Sequence, residues 1–460
     1  MNICFITCFY KTELFFEIAK EIKCDGKIYW ITPSYKWYHW LIKKGIKPEE
    51  ILLITKDEVR KNQSSVLSIE NNSYGLNLTS IALMDRILRS MDGDYSINYL
   101  TSLGNLIKSF IIDKDIDVVF GEATAAHEVL TSVICDVLGK YFFNPFTVRI
   151  PSNRFAFFKG PFQSEIYQFK KQRGLKTDQI NKIVREIIDS VVLYNQKPDY
   201  YYINNQIPRF NLSLIKSIIV KLFESLIEAK YDQSVKSLKY QLFIEKKYLR
   251  PLRYKISNLL SVFQNADYNQ DFVLYTLHKQ PEASIDVLGY RHSNQIELIR
   301  KIAINLPYNV KLYVKEHSNS LGERSLSFYR NLKKIPNVVL INPFEDTRKL
   351  IENSLLVLTV SGTVALEAGI IGKKAITFSK MYFNKINNVD YIEDLTEIKK
   401  ILIFNKKIDK KCPEDFYRYI IQNSFEGTIS DTISTPKVLS RENVEKIAFG
   451  FNSLIDDLKV

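Results

Sequence analysis

From residue 271 onward, short apolar runs alternate with longer stretches whose apolar residues recur every three or four positions. FVLYTLH precedes SNQIELIRKIAIN, VKLYVKEH precedes RSLSFYRNLKKI, and NVVLIN precedes DTRKLIENS. Uniformly apolar, β-branched runs predict strands buried on both faces of a parallel sheet, and the periodic stretches predict the crossover helices. The stretch LLVLTVSGTVALEAGIIGKKAITF, residues 355–378, tests that reading because it approaches a membrane span in length and apolarity. A span needs about 20 apolar residues free of charge. Here Glu367 falls within the run and Ser361-Gly362-Thr363 divides it, so the pattern is strand, turn, helix, strand, with Gly372 suited to end the helix.

The first 165 residues predict a second, less regular sheet domain. NICFITC, GKIYWIT, EEILLIT and IDVVFGE are its candidate strands, and KTELFFEIAKEIK and SLGNLIKSFIID are candidate helices. Residues 166–265 read as a mostly helical, Lys-rich linker or insertion, with QKPDYYYINNQIPRFN as an exposed loop inside it. Residues 266–432 form the regular α/β domain. The amphipathic segment 433–460, with Ser440 as a cap, is expected to pack back on the first domain. The expected fold is therefore α/β: two Rossmann-like, doubly wound domains of the GT-B kind facing across a cleft, joined by a helical insertion.

In doubly wound sheets, ligands bind outside the carboxyl ends of the strands. Those ends are chemically rich here: His278 with Gln280 and Glu282, Lys315 with His317, and Ser361-Gly362-Thr363. A helix N-terminus offers unpaired backbone N–H groups and a positive dipole end, which suit a phosphate. Ser361 and Thr363 add hydroxyls, Gly362 permits close approach, and Glu367 lies one turn on, placed to accept from a ribose diol. The same local pattern also fits a plain helix cap beside a solvated Glu. In the first domain Glu122 follows the apolar run IDVVF and precedes a helix, which makes it a candidate base or nucleophile. His127 and Glu128 lie farther along that helix and are weaker candidates, and a Glu at a helix start also serves as a plain dipole partner.

Composition narrows the class. Of 460 residues 46% are hydrophobic and 25% charged, which suits folded globular domains. The net charge of +13 points to an anionic partner: nucleic acid, a membrane face or phosphorylated substrates. One basic cluster, Lys246, Lys247, Arg250, Arg253 and Lys255, is interleaved with Tyr248, Leu249, Leu252 and Tyr254, and either meets anionic lipid or forms a solvated helix face. Five cysteines without a CxxC read as reduced thiols, and the N-terminus lacks a basic region and a small-residue cleavage site. A cytoplasmic protein, peripheral at the inner membrane face, is expected.

LHKQPEASIDVLG, NQIELIRKIAINLP, YVKEHSNSLGERSLSFYRNLKKIPNVVLINP and LTVSGTVALEAGIIGKKAITF, in that order, resemble the bacterial capsule polysaccharide biosynthesis family. That family includes transferases of the eight-carbon acid sugar Kdo, with CMP-Kdo as donor. The resemblance runs from about residue 275 to 380 and is loose in the first half, through FGEATAAHE and VRIPSNRFAFF. It implies that Lys315 and His317 contact the donor phosphate, that Ser361, Gly362 and Thr363 hold phosphate or nucleotide, and that Glu367 binds the ribose. Gln280 and Glu282 would line the cleft, beside His278. Where the family carries Pro after the KEH histidine, this chain has Ser318. Arg149 and Arg154 suit the carboxylate of an acid sugar, or an ordinary surface ion pair.

The expected co-substrate is a nucleotide sugar, most specifically CMP-Kdo, and no separate cofactor is expected. The acceptor would be a saccharide or lipid-linked glycan. A UDP-sugar transferase, a nucleotide-sugar 2-epimerase and a polyol-phosphate transferase are the alternatives within enzymes. A non-catalytic module binding nucleic acid or lipid is the alternative from another class, but no RRM, KH or helix-turn-helix signature is found, so no nucleic-acid partner is expected. Three Asp-x-Asp tripeptides occur, Asp92–Asp94, Asp113–Asp115 and Asp115–Asp117. Turn and linker chemistry accounts for them, and no metal is expected.

Overall fold

The computed structural model describes residues 1–61, 67–170, 177–192, 240–404 and 413–459, with 207–208, 219, 223, 225–230, 232–233 and 235–238. The chain divides into two compact units: Met1–Gly174 with Ile219–Tyr240 and Ile420–Val460, and Leu175–Ile218 with Gln241–Tyr419. Residues 166–265 are thus shared between the units, and the return to the first begins at 420. Most of QKPDYYYINNQIPRFN, and Cys412, lie outside the described residues.

The first unit contains β1 (Asn2–Ile6), β2 (Ile28–Thr32), β3 (Ile51–Leu53), β4 (Ile116–Phe120), β5 (Tyr141–Thr147) and β6 (Arg154–Lys159). The second contains β7 (Phe272–Thr276), β8 (Lys311–Lys315), β9 (Val338–Ile341), β10 (Leu356–Thr359), β11 (Ala375–Thr377) and β12 (Val389–Tyr391), after which β13 (Phe425–Glu426) rejoins the first. The fold is mixed α/β with two predominantly parallel sheets.

The first sheet runs β13-β6-β5-β4-β1-β2-β3, and only the β5–β6 and β6–β13 pairs are antiparallel. Its order reverses between β1 and β4, which places a switch point there. The apolar runs bury Phe5, Trp30, Phe120, Phe155 and Phe157 against Phe451 of the helix Arg441–Leu458, whose ring lies 4.7 Å from that of Phe120. Gly450 lets that helix close on the sheet, because a Cβ there would meet the Phe155 ring at 2.7 Å. Ser440 caps the helix by accepting from the Asn443 amide.

The second sheet runs β12-β11-β10-β7-β8-β9, with every pair parallel. Its central strands β7, β8, β10 and β11 are buried almost throughout, as uniformly apolar runs require, while the edge strands β9 and β12 are partly exposed. The order reverses between β7 and β10, so the carboxyl ends of β10, β7 and β8 lie side by side at the switch point. Among the described residues no helix is long and apolar enough to cross a membrane. The 355–378 stretch is β10, the helix Val364–Ile370 and β11, and Gly372 leaves the helix in the left-handed region at φ +78°.

Candidate functional site

The second unit's site starts from one histidine. His278 follows β7 and lies against the turn after β10, where its Nε2 accepts from the amides of Val360 (3.2 Å) and Ser361 (3.3 Å) and stands 3.0 Å from the Thr359 hydroxyl. Two amide donors fix Nε2 as an acceptor, so the ring proton sits on Nδ1. Burial, then the neighbouring His317 and Arg324, push the pKa of His278 down to about 3, and the ring is neutral at physiological pH. The backbone of His278 is clamped as well: its amide donates to Gln295 Oε1 at 2.8 Å and its carbonyl accepts from Gln295 Nε2 and from Arg324.

This arrangement corrects the expected phosphate grip. The amides of residues 360 and 361 are engaged by His278, and the amide of Gly362 donates to Thr359 Oγ1 at 3.2 Å. The Ser361 hydroxyl donates to the Ser284 carbonyl at 2.6 Å, so it too faces inward. The reason lies in the sheet order: β7 and β10 are neighbours, so the ring from one strand end reaches the turn of the other. Thr363, at the helix start, makes no side-chain cap bond, and Glu367 is half-buried one turn later.

At the end of β8, Glu316 is the buried organiser and His317 its half-buried neighbour. The Glu316 carboxylate is buried and accepts from Arg324 Nε (2.8 Å), the Tyr329 hydroxyl (2.7 Å) and the His317 amide (2.7 Å). The His317 Nδ1 accepts from the Asn319 amide at 3.1 Å, which leaves the ring proton on Nε2. Burial lowers its pKa against the pull of Glu316, assisted by Lys279, Lys315 and Arg324. Lys315 was expected to project beside His317 toward a phosphate. It is instead buried, with Nζ donating to the Pro343 carbonyl at 2.7 Å. Gln280 likewise turns inward, donating to Asp286 at 2.9 Å, while Glu282 is exposed and accepts from the Ser284 hydroxyl at 3.2 Å.

The basic cluster, read either as meeting anionic lipid or as a solvated helix face, is partly engaged by the chain itself. Arg250 donates to the Leu321 and Asn319 carbonyls at 2.7 and 3.0 Å, and Arg253 to the Glu323 carbonyl at 3.0 Å. These bonds bind the helix Arg250–Leu259 to the loop after β8. Gly322, at φ +71°, permits the contact, since a Cβ there would lie 2.1 Å from the Arg250 carbonyl oxygen.

In the first unit the switch-point end carries charge. The Glu122 carboxylate is ion-paired to the buried Lys11 and accepts from the Cys8 thiol at 2.6 Å. Burial lowers the pKa of Lys11, and burial pushes the Cys8 thiol up to about 12. Arg149, itself at φ +69°, lies with its guanidinium 4.6 Å from the Phe146 ring centre, close enough to depress Lys11 further. Glu128 shapes the loop rather than facing out. It accepts from the amides of Glu122, Thr124 and Ala125 and from the Thr124 hydroxyl, at 2.7–3.2 Å.

Two first-unit expectations come out differently. Arg154 is buried, donating to the Ser424 hydroxyl (2.9 Å) and carbonyl (2.7 Å), so it joins β6 to the returning chain and does not present itself to a sugar. A cation at the start of a strand beside an antiparallel edge meets the carbonyls of that edge, and no sequence signal separates this from exposure. His127 is buried away from Glu122, and its Nε2, with no hydrogen-bond partner, borders a small pocket with Asp85, Tyr99, Asp232 and Gln233. Burial lowers its pKa. Asp92 caps the helix Gly93–Asp113, and Asp115 and Asp117 pair with Lys140 at 3.1 and 3.2 Å. Sequence reasoning missed Lys11, Glu316, Arg324 and Gln295. Glu316 stands within the KEH run and was legible as a buried carboxylate at a strand end, whereas the others carry no local signal.

No family model matches the chain, and no curated protein matches it. Solved structures do. KpsC of Thermosulfurimonas dismutans, a beta Kdo 2,7 transferase, is similar at 10% identity over 76% of this chain and 89% of its own, with a TM-score of 0.35. The UDP-GlcNAc 2-epimerase of Methanocaldococcus jannaschii, in complex with UDP-GlcNAc and UDP, is similar at 14% identity over 92% of this chain and 98% of its own, with a TM-score of 0.29. Os79 of O. sativa, in complex with UDP and deoxynivalenol-3-glucoside, is similar at 9% identity over 99% and 100%, with a TM-score of 0.24. No residue role or substrate is carried over from them.

Proposed function

We propose that this chain is a glycosyltransferase that moves an acid sugar, Kdo or a relative, from a CMP-activated donor to a saccharide or lipid-linked glycan acceptor. The observation that carries the reading is the polar set at the switch point of the second sheet, where a largely apolar parallel sheet is followed by His278, His317, Thr363 and Glu367. The order of motifs shared with the capsule family supports the donor class.

Transfer requires a stabilised leaving phosphate and an activated acceptor hydroxyl or a covalent nucleophile. In this reading His317 donates from Nε2–H to the phosphate, and the Thr363 hydroxyl donates beside it. Glu367 accepts from the ribose diol. His278 touches no substrate: it positions the turn by holding the amides of Val360 and Ser361. Glu122 serves as base or nucleophile, held in place by its pairing with Lys11. A preorganised, neutral donor set costs little reorganisation when charge develops on the leaving group.

The test is incubation with a panel of CMP- and UDP-activated sugars and measurement of the nucleotide released. CMP release with an acid sugar is expected. UDP release would overturn the donor assignment, and failure to bind any nucleotide would overturn the reading altogether.

A further inference from the structure

Phe9 is a bulky residue held in a backbone conformation that suits glycine, and its ring gains little burial there. It lies three residues past β1 at φ +40° and is 57% exposed. A left-handed φ is an outlier for a large side chain and carries a conformational cost. Two more residues share it: Ala123, three past β4 at φ +55°, and Arg149, two past β5 at φ +69°. Because β1, β4 and β5 are neighbouring parallel strands, all three residues follow carboxyl ends at the same side of the first sheet. Asp115, the other positive-φ residue among the described non-glycines of this unit, precedes β4 at the opposite side.

The surrounding bonds hold Phe9 in place. The Cys8 amide donates to Thr12 Oγ1 at 3.0 Å, the Cys8 carbonyl accepts from the Lys11 amide at 3.0 Å, and the Phe9 carbonyl accepts from the Thr12 amide at 3.1 Å. The Cys8 thiol and Lys11 Nζ both engage the Glu122 carboxylate. The backbone just before and just after the ring is thus fastened to the candidate reactive group itself. Ala123 is locked in a similar way, between the amides of Glu122 and Thr124, which both donate to Glu128. Strained residues over-determined by their surroundings gather where a ligand is held. An exposed ring beside a carboxylate suits a sugar: the ring takes the apolar C–H face of a pyranose, and the carboxylate accepts from a hydroxyl at its rim. An acyl chain would need a continuous apolar track. The groups gathered here are otherwise charged, with Asp431 and Arg149 close enough to act on Lys11.

We propose that Phe9 is an acceptor-binding residue, whose ring stacks on a pyranose and sets one of its hydroxyls against Glu122. The assignment rests on Glu122 being the reacting carboxylate of a sugar transferase, as proposed above. It gives the saccharide to the first unit and names the side chain that receives it.

The test is titration of the full chain with methyl β-glucoside, methyl β-galactoside and methyl β-N-acetylglucosaminide, followed by saturation-transfer NMR. Binding of at least one glycoside is expected, weakened about tenfold in Phe9→Ala and kept within about threefold in Phe9→Trp. CMP binding should be unchanged in both. Ile112→Ala, at a 55% exposed position on the helix Gly93–Asp113, should change nothing. Phe9→Gly separates the ring from the fold. Glycine adopts the left-handed backbone freely, so this variant should melt no lower than the wild type while losing the glycoside. The inference is overturned if the wild type binds none of the glycosides, if Phe9→Ala binds them as the wild type does, or if Phe9→Gly melts clearly lower, which would make the ring a packing residue. Phe9-dependent glycoside binding in a chain that releases nucleotide from no sugar donor would uphold the sugar site and sink the transferase reading. Nucleotide release with an unchanged acceptor KM in Phe9→Ala would do the reverse.

Discussion

The two sheets end in opposite chemistry at equivalent places. At the first switch point a buried lysine and a carboxylate face one another as ions, with a thiol donating to the same carboxylate. At the second, the central group is a neutral histidine whose lone pair is held by two amides, and the buried carboxylate of Glu316 is engaged by Arg324, Tyr329 and the His317 amide. The first end holds a charged pair, while the second holds a neutral, hydrogen-bonded frame. Topology thus decides where chemistry is placed, and the partners of each group decide what kind it is.

Four changes break or sharpen that contrast. Glu122→Gln should cut turnover about a thousandfold with donor binding retained, measured by steady-state rates beside nucleotide titration. Normal turnover would remove Glu122 from the chemistry. Glu316→Ala strips a buried carboxylate from Arg324 and should cost about 3 kcal/mol in urea denaturation, because an unpaired buried cation remains. A loss within the ordinary surface range of roughly 0.5 kcal/mol would show that the frame does not rest on it.

The third change concerns acid. In the unfolded chain His278 takes up a proton near the ordinary histidine value of 6.5, and in the folded chain only near about 3. Between those values the unfolded state binds more protons, so the stabilisation is full above pH 6.5 and is lost as pH falls toward 3. His278→Gln should flatten the fall in stability between about pH 6.5 and 5 by roughly 1.4 kcal/mol per pH unit. His127, His292 and His317 are depressed in the same direction and should supply the slope that remains. Denaturation curves at stepped pH decide it, and an unchanged slope in the variant would contradict a neutral His278. The smallest effect is at the nucleotide. Glu367→Ala should weaken CMP binding by about tenfold or less, read by calorimetry, as one hydrogen bond to a charged group is worth about 1.5 kcal/mol.

Sequence pattern alone located β7 to β11 and β1 to β4, because buried parallel strands are uniformly apolar and their crossover helices are amphipathic. It passed over β5 and β6. YFFNPFT contains Asn144-Pro145, which reads as a turn, yet the pairing of β5 with β4 ends at Phe143, so Pro145 lies where the strand has only one neighbour. The gathering of polar groups at the strand ends of the second sheet was legible. Which donors faced outward was not, because the bonds that turn Lys315, Gln280 and Ser361 inward come from residues 6 to 77 positions away. Arg154 misled for the same reason, since its partner Ser424 is 270 residues distant.

The chain passes between its two units four times, and the first unit waits for the last 41 residues, Ile420–Val460, before β13 and the Phe451 helix can close its aromatic core. During synthesis the later-encoded unit therefore has all its strands in hand first, while Phe5, Phe120 and Phe157 stand uncovered until residues 420–460 have been made. A nascent chain stalled near residue 420 should accordingly be the form most in need of a chaperone, and a C-terminal truncation should damage the half of the protein that was made earliest.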